Sequence, residues 1–520
     1  MTGISARKEQ QLKKLVRIWP EAASLSDACF RAGFKTPDPR GQHRIRRQAE
    51  EFLGVELPAI NGKQSSSFWD IDCPSSLDIA SAKKKKDFVI TSHTNDSPLV
   101  KPFLKAQELF MESKNGQLLV IPVRYRNPDA FHKEDQGSWS QEIHPFVLTD
   151  DFHVSKDLVI SSHRLNATRV NPLSGNHALT GRKSVVYGHP QLAMEMVGSP
   201  KKLLPKVMMT TGSCNKARYS ATNAGGTAKE YHTLSAIYIK VVRGGFHYIQ
   251  LTWDGTGFCY GNEYWTEGGM QAVPEAPAIV HGDSHVYHEI AKVTNSKLRV
   301  NSLLKPFAQV WHDLHDQGIG GHHETLRERI ERTLKKEIFI EDEVRLAPNY
   351  LERLGADTLN YIVGANHNDH LDIWHASFDP RKDPANAKFH GWLAGVMYGT
   401  EQSALEACFN EWGCGAHYEF LDRSAPRDIY GILIQNHGDK GTNGSRGSPK
   451  GFAKTAYPVF IGHSHTPRIE KSCWQVGTST DEMTYAQGDS TWMLTDGIIY
   501  FNGTRALINH IRGKTIFDFD

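Results

Sequence analysis

The stretch Ile461-Gly-His-Ser-His-Thr-Pro467 follows the apolar run Tyr457-Pro-Val-Phe460, so we expect it where a buried strand ends. His463 and His465 lie two positions apart, and side chains at this spacing share one face of a strand. Their rings can also converge in a turn just past the strand end, where imidazole is a common metal ligand. A His-x-His pair alone is more often two solvated turn residues, so this interpretation depends on further ligands.

Four further groups of metal-competent side chains follow apolar, strand-like runs. They are His281-Gly-Asp-Ser-His285, His312-Asp-Leu-His-Asp316, Asn366-His-Asn-Asp-His370 and Asn436-His-Gly-Asp439. In an α/β sheet, the strand ends at one edge bring together side chains from distant sequence positions. Exposure to solvent does not explain why such groups follow five successive strands. The pattern therefore predicts that they form one site. Mixed Asp, His and Asn ligands suit manganese, iron or zinc, and oxygen ligands favour manganese and iron.

In their order, the five groups resemble the motif series of the calcineurin-like metallophosphoesterases: Asp-x-His, Gly-Asp-x-x-Asp, Gly-Asn-His-Asp/Glu, His and Gly-His-x-His. The resemblance covers residues 275–520 and implies two packed mixed β-sheets flanked by helices, with 324–336 and 401–412 as covering helices. It also implies two divalent metal ions that share one bridging carboxylate. The implied ligands are Asp283, His285, Asp313 and His465 for the first ion, and Asp313, Asn366, His437 and His463 for the second.

The resemblance further implies that the His367 imidazole meets the leaving oxygen of a phosphate ester. The chain departs from the family pattern without losing an implied ligand: His312 and Ala365 each replace a glycine. Asn368 stands where an acidic residue is expected, and Asp369 follows one position later. Either Asp316 or Asp369 is therefore the carboxylate that orients His367.

Residues 1–60 are predicted to form a basic module resembling a helix-turn-helix, with helices over 24–34 and 41–53 and a turn at Gly33. Arg44, Arg46 and Arg47 lie near the start of the second helix, where a recognition helix contacts DNA. A solvated basic face explains these arginines equally well.

Residues 65–268 are predicted to form a separate α/β domain of unknown role, because a β-α-β pattern over 88–122 implies a parallel sheet. The phosphoesterase-like domain then spans 270–520.

The composition of the 520 residues excludes several classes of protein. A net charge of +2 means that attraction to nucleic acid has to come from local patches. Seven scattered cysteines without a Cys-x-x-Cys pair argue against a disulfide framework and a structural zinc cluster. No apolar run has the length of a membrane span, and the first residues lack a signal-peptide core. We therefore expect a cytoplasmic protein without a membrane partner, and a homo-oligomer is compatible with the sequence.

The sequence favours a metal-dependent DNase over two alternatives. About half of the chain precedes the predicted metal site, which suggests a large, charged substrate, and a loop after His437 carries Lys440, Arg446 and Lys450 for backbone contacts. The whole layout is similar to that of the pre-early host-DNA-degrading proteins of T-odd tailed phages, which implies action in the host cytoplasm. The alternatives are a phosphatase or small-molecule phosphodiesterase, and an inactive DNA-binding scaffold. Manganese is the expected metal, with iron or zinc as substitutes.

Overall fold

The computed structural model describes residues 5–519 except 20–21, 23–24, 35–38, 56, 58–72, 126–136, 201–202, 320–323, 482 and 484–487. The chain divides into two compact units, Met1–Asp72 and Cys73–Asp520. The protein is a mixed α/β structure with several mixed sheets. No helix in the described ranges has the length and apolar character needed to cross a bilayer.

The first unit contains the helices Ala6–Ile18, Leu25–Arg31 and Pro39–Leu53. Ser5 caps the first helix by accepting a hydrogen bond from the Lys8 backbone N–H. Gly33 follows the second helix with a φ of +88°, a conformation that glycine adopts without steric cost. The predicted helices over 24–34 and 41–53 are therefore confirmed, with a shift of the second start to Pro39. The polar range 60–87, which its Gly, Pro and Lys content indicates as an exposed linker, lies outside the described residues up to position 72.

The first part of the second unit contains thirteen described strands: β1 Asp87–Thr94, β2 Gln117–Val123, β3 Phe152–His153, β4 Leu158–Ser161, β5 Ser184–Tyr187, β6 Ala193–Val197, β7 Ser199–Pro200, β8 Lys206–Thr210, β9 Ser235–Val242, β10 Gly245–Thr252, β11 Gly257–Tyr260, β12 Glu263–Thr266 and β13 Gly269–Ala272. The helix Lys101–Ser113 connects β1 to β2, which pair in parallel. This pairing confirms the predicted β-α-β unit. The sheet has the order β10-β9-β1-β2.

The later part of the second unit adds the strands β14 Ala278–His281, β15 Ala308–Trp311, β16 Leu359–Val363, β17 His417–Leu421, β18 Asp428–Ile429, β19 Ile432–Leu433, β20 Val459–Ile461, β21 Arg468–Glu470, β22 Cys473–Gln475, β23 Asp489–Ser490, β24 Thr495–Ile499 and β25 Arg505–Asn509. A six-stranded sheet has the order β17-β16-β15-β14-β24-β25. The α-helices in the described residues of this unit are Ile79–Ala82, Lys101–Ser113, Asn223–Glu230, Ala291–Leu304, Leu326–Lys335, Ile340–Val344, Leu346–Gly355, His370–Ser377, Ala387–Met397, Ala404–Trp412 and Pro449–Phe452.

A ten-stranded sheet joins both parts of this unit, in the order β18-β19-β20-β22-β21-β6-β8-β5-β4-β3. One apolar core, which includes Ile90, Met209, Val280 and Phe460, runs between the sheets. The ranges 65–268 and 270–520 therefore share a sheet and a core. The predicted boundary at 268–270 does not coincide with a boundary between compact units.

The two predicted covering helices differ in their packing. Ala404–Trp412 buries Leu405, Cys408 and Phe409, as a covering helix does. Leu326–Lys335 has the predicted helical spacing, but its apolar side chains are exposed, and Leu334 is 79% exposed. The expectation that this helix covers the sheet is wrong for the described residues, because amphipathic spacing specifies a helix and not the surface against which it packs.

Candidate metal centre

The strands β14, β15 and β16 pair in parallel, so their carboxyl ends lie at one edge of the six-stranded sheet. Asp283 follows β14 by two residues, Asp313 follows β15 by two, and Asn366 follows β16 by three. From the ten-stranded sheet, β20 ends immediately before Gly462 and His463. The group at 436–439 follows β19 of the same ten-stranded sheet. The five sequence groups therefore meet between the two sheets, as their positions after strands predicted.

The first ligand group consists of Asp283, His285 and His465, all of which are buried. His465 Nε2 lies 3.2 Å from Asp283 Oδ2 and 3.0 Å from His285 Nε2. Two ring nitrogens and a carboxylate oxygen thus point at one position. Nitrogen and oxygen donors in this arrangement suit a divalent transition metal ion.

The second ligand group consists of Asp313, Asn366, His437 and His463. His437 Nε2 lies 3.0 Å from both Asp313 Oδ2 and Asn366 Oδ1. The Asn366 oxygen is also 2.9 Å from His463 Nδ1. Ligand atoms of Asp283, Asp313 and His437 all lie within 4.8 Å of one another. The two groups are therefore adjacent, and Asp313 lies between them.

The electrostatics of these groups fit bound cations. Asp283 Oδ2 and Asp313 Oδ2 are buried and accept no hydrogen bond of good geometry from any described residue. Such atoms are costly to bury unless a positive charge compensates them. Burial raises the pKa of Asp313, but His437 and His367 outweigh burial and hold that pKa well below its ordinary value. The carboxylates are therefore ionised and available as ligands, and the residues present fit a centre of divalent metal ions.

The backbone at the centre is held in a sparsely populated conformation. Positive φ angles occur at His285 (43°), Asp313 (39°), His463 (76°) and His465 (58°). Non-glycine residues rarely adopt this region, and such strain is concentrated at functional sites. The His285 N–H donates to the Asp313 carbonyl at 2.8 Å, and the His463 N–H donates to Asp283 Oδ1 at 3.1 Å. These bonds hold the strained turns in place.

Asp316 orients His367 in the structure. His367 Nδ1 lies 2.8 Å from Asp316 Oδ1, and the other oxygen of Asp316 lies 3.2 Å from Nδ1 of His285. Burial lowers the pKa of His367, but Asp313 and Asp316 outweigh burial and raise the pKa to about 9. These carboxylates therefore favour the protonated imidazole, and Asp316 fixes its ring.

Asp369, the alternative partner of His367, binds elsewhere. Its carboxylate accepts a hydrogen bond from Arg423 Nη2 at 2.9 Å, and the same nitrogen reaches Asp439 at 3.2 Å. Asn368, in the position of the expected acidic residue, accepts the His315 N–H at 2.9 Å and has a structural role. The spacing in sequence could not separate Asp316 from Asp369, because both follow strands of the same sheet.

Sequence reasoning missed two buried sets of polar side chains beside the centre. His370 joins Asp316 and His367 in a third potential ligand group. Asp496, on β24, lies 3.0 Å from Lys297 Nζ and accepts the Gly282 N–H at 2.8 Å, one residue before Asp283. A lysine inside the helix Ala291–Leu304 gives no sign of burial in the sequence, and only its place in the helix, facing the sheet, could have indicated it.

The residues proposed for DNA contact are in three different settings. Arg44 and Arg47 are exposed on the helix Pro39–Leu53. Arg46 is half-buried and is held by Glu50 at 3.0 Å and by the Leu57 carbonyl, so its guanidinium is engaged within the module. Lys440 and Arg446 are exposed on the loop after His437, where they form an isolated β-bridge, and Lys450 is exposed on the short helix Pro449–Phe452.

The fold and these groups define a mixed α/β protein with a buried His/Asp centre that can hold metal ions. Protein A1 of Escherichia phage T5 is 27% identical over 470 residues, which cover 83% of this chain and 83% of that protein. This similarity supports the resemblance to proteins of T-odd phages. No family model and no solved structure matches the chain, so the metallophosphoesterase resemblance rests on the motif series and the site.

Proposed function

We propose that the protein is a two-metal-dependent DNase that hydrolyses phosphodiester bonds. The observation that carries the proposal is the convergence of two ligand groups on either side of Asp313, with a carboxylate-oriented imidazole beside them. In this proposal Asp283, His285 and His465 hold one ion. Asn366, His437 and His463 hold the other, and Asp313 contributes to both.

Divalent ions held by these residues would lower the pKa of a bound water and neutralise charge on the phosphate oxygens. His367 holds the proton for the leaving oxygen, since Asp313 and Asp316 favour its protonated form. Asp316 occupies Nδ1 of His367 and leaves Nε2 for the substrate. The same carboxylate orients His285. The Asp316 side chain therefore orients both a proposed metal ligand, His285, and the proposed general acid, His367.

DNA is the substrate that the remainder of the chain supports. The segment with Lys440, Arg446 and Lys450 follows His437 directly, and all three side chains are exposed, as cations that contact phosphates have to be. Arg44 and Arg47 offer further exposed cations in the N-terminal module. The similarity to a T5 protein supports a role in phage infection, and we propose that the enzyme would degrade host DNA in the host cytoplasm.

The test is cleavage of plasmid and linear DNA by the full chain, after chelation, with manganese, magnesium or zinc added back. We expect manganese to exceed magnesium, because His and Asn ligands suit the softer ion. Asp313→Asn should lose both metal content and cleavage. Asp369→Asn is the matched control, because Asp369 pairs with Arg423 outside the ligand groups.

Three results would count against the proposal. Full activity in magnesium alone would contradict the transition-metal assignment. A folded Asp313→Asn variant with normal metal content would contradict the ligand set. The absence of DNA cleavage with every metal, together with hydrolysis of a small monoester, would favour a phosphatase.

A further inference from the structure

Residues 87–252 and 278–509 have the same strand topology in their first sheets. The order β2-β1-β9-β10 in the earlier range matches β15-β14-β24-β25 in the later one. In both, the first pair is parallel and the next two pairs are antiparallel. The later range adds only β16 and β17 beyond β15.

The ten-stranded sheet repeats the same topology a second time. Its two ends, β3-β4-β5-β8-β6 and β18-β19-β20-β22-β21, each show antiparallel, parallel, parallel and antiparallel pairing in that order. Both β5 and β20 are followed by Gly-His, at Gly188-His189 and Gly462-His463. Nine strands in two sheets therefore correspond, and the second unit contains two copies of one fold.

An approximate two-fold axis relates the copies. Met194 on β6 pairs with Ile469 on β21, and each occupies the same position in its own copy, opposite Met209 and Trp474 respectively. At the other sheet, the Leu507 N–H donates to Gln250 Oε1 at 2.8 Å, again between corresponding positions of β25 and β10. Corresponding strands run in opposite directions, so the strand-end edges of the copies face opposite ways.

The first copy does not repeat the ligands. Strand β2 ends in Ile121-Pro122-Val123, where the second copy continues from β15 to Asp313. His189, the counterpart of His463, is buried and its Nε2 lies 3.1 Å from the Asn166 carbonyl oxygen. Within the described residues, the groups that could hold a metal ion all lie between Asp283 and His465. The first copy is therefore a non-catalytic partner of the second.

A groove of about 870 Å³ is lined by residues of both copies. Its lining includes five basic side chains, Lys156, Arg182, Lys206, Lys292 and Arg512, and two acidic ones, Asp157 and Asp481. Lys206 is buried and donates to backbone carbonyls, whereas the other four cations are exposed.

Trp492 contacts both the groove and the candidate metal ligand His465. The Trp492 side chain lines the groove, and its ring centroid lies 4.2 Å from that of the ligand His465. An aromatic ring beside exposed cations is the combination that proteins use to bind single-stranded nucleic acid, with bases stacked on the ring and phosphates near the cations.

We propose that this groove binds the phosphate backbone of a single DNA strand and leads it to the metal centre. The proposal rests on the proposed DNase function and adds the path of the substrate. The first copy supplies Lys156 and Arg182, and the second supplies Lys292. The non-catalytic copy thus forms one wall of the groove.

The experiment measures binding of a labelled single-stranded oligonucleotide to the full chain in chelator, over a series of salt concentrations. The groove variant carries Lys156→Ala, Arg182→Ala and Lys292→Ala. The control variant carries Lys105→Ala, Lys382→Ala and Lys388→Ala, three exposed lysines outside the groove lining. Each phosphate contact to a single strand contributes about 0.7 to the slope of log affinity against log salt. We expect the groove variant to lose about 2 from that slope, and the control variant to lose nothing.

Hydrolysis of a small aryl phosphodiester should be equal in all three proteins, because the substitutions are outside the ligand groups. If the triple variant melts early, Arg182→Ala alone should still reduce the slope by about 0.7. Equal slopes in the groove and control variants would overturn the proposal, and so would a larger loss on duplex than on single-stranded DNA. If the parent cleaves DNA and the groove variant binds the oligonucleotide normally, the proposed role of the groove is wrong and the proposed DNase function is supported. If the parent does not cleave DNA but the groove variant loses binding, the proposed role of the groove in binding is supported and the proposed DNase function is wrong.

Discussion

Replacing Gly462 with alanine tests whether the close approach of β20 to Asp283 holds the first ligand group in place. A Cβ at Gly462 would lie 2.3 Å from Asp283 Oδ1 and 3.0 Å from His312 Cγ. Ordinary van der Waals contact begins at 3.4 Å, so the carboxylate has to move by about 1 Å. Both neighbours are fully buried and cannot swing into solvent.

The displacement should appear first in metal binding. Asp283 Oδ1 also accepts the His463 N–H at 3.1 Å, so a shift of this carboxylate disturbs ligands of both groups. Loss of groups that orient ligands weakens metal binding by about 10- to 100-fold, and we expect this range for manganese. DNA cleavage at saturating manganese should fall by roughly a hundredfold, the usual effect of a 1 Å misplacement. Calorimetric titration of the chelated full chain with manganese gives the affinity directly.

Gly395→Ala is the matched control. A Cβ at Gly395 meets nothing within 4 Å, and the residue lies inside the helix Ala387–Met397. Alanine there should stabilise the helix by about 0.5–1 kcal/mol and leave manganese binding unchanged. A Gly462→Ala variant with the affinity of the parent and an unchanged melting temperature would refute the steric argument and the geometry of the first group.

Three further predictions concern the acid and two buried charges. His367→Ala should keep its metal content, lose about a hundredfold or more in DNA cleavage, and lose less on an aryl diester, whose leaving group needs little protonation; equal losses on both would remove His367 from the acid role. Lys297→Met should destabilise the fold by about 3–5 kcal/mol because it leaves Asp496 buried without its cation, and adding Asp496→Asn should recover part of the loss in thermal unfolding. Burial raises the pKa of Glu343 from 4.5 to about 7, so the folded state binds this proton more tightly than the unfolded state, and stability falls as pH rises from about 4.5 to 7. Glu343→Gln should flatten that decline, by about 3 kcal/mol at most, in melting temperatures measured across the window; a parallel decline in the variant would contradict the assignment.

The ligand groups were predictable from the sequence because strand periodicity and strand ends are local features. An apolar run followed by Asp or His marks where a buried strand ends. Parallel strands then place their ends at one edge without further information. The same locality explains why the helices of the N-terminal unit and the β1–β2 unit were correct.

Features that depend on long-range packing were not predictable. The assignment of Asp316 to His367, and of Asp369 to Arg423, depends on how two strand-end turns face each other. The exposed apolar face of Leu326–Lys335 depends on what lies opposite that helix. The duplicated fold was also not predictable, because strand order depends on pairing between distant segments. In addition, the first copy does not repeat the candidate ligands of the second at its strand ends and has residues such as Pro122 there.

The backbone conformation at four of the candidate ligands is strained, and the fold has to stabilise it. His285, Asp313, His463 and His465 have positive φ, at a cost of about 1–3 kcal/mol each. Hydrogen bonds such as that from the His285 N–H to the Asp313 carbonyl hold these angles. The buried strands supply the stability that offsets the strain. In the proposed metal centre these bonds hold the ligands in position, so the loss of one ligand side chain should change metal affinity far more than it changes the fold.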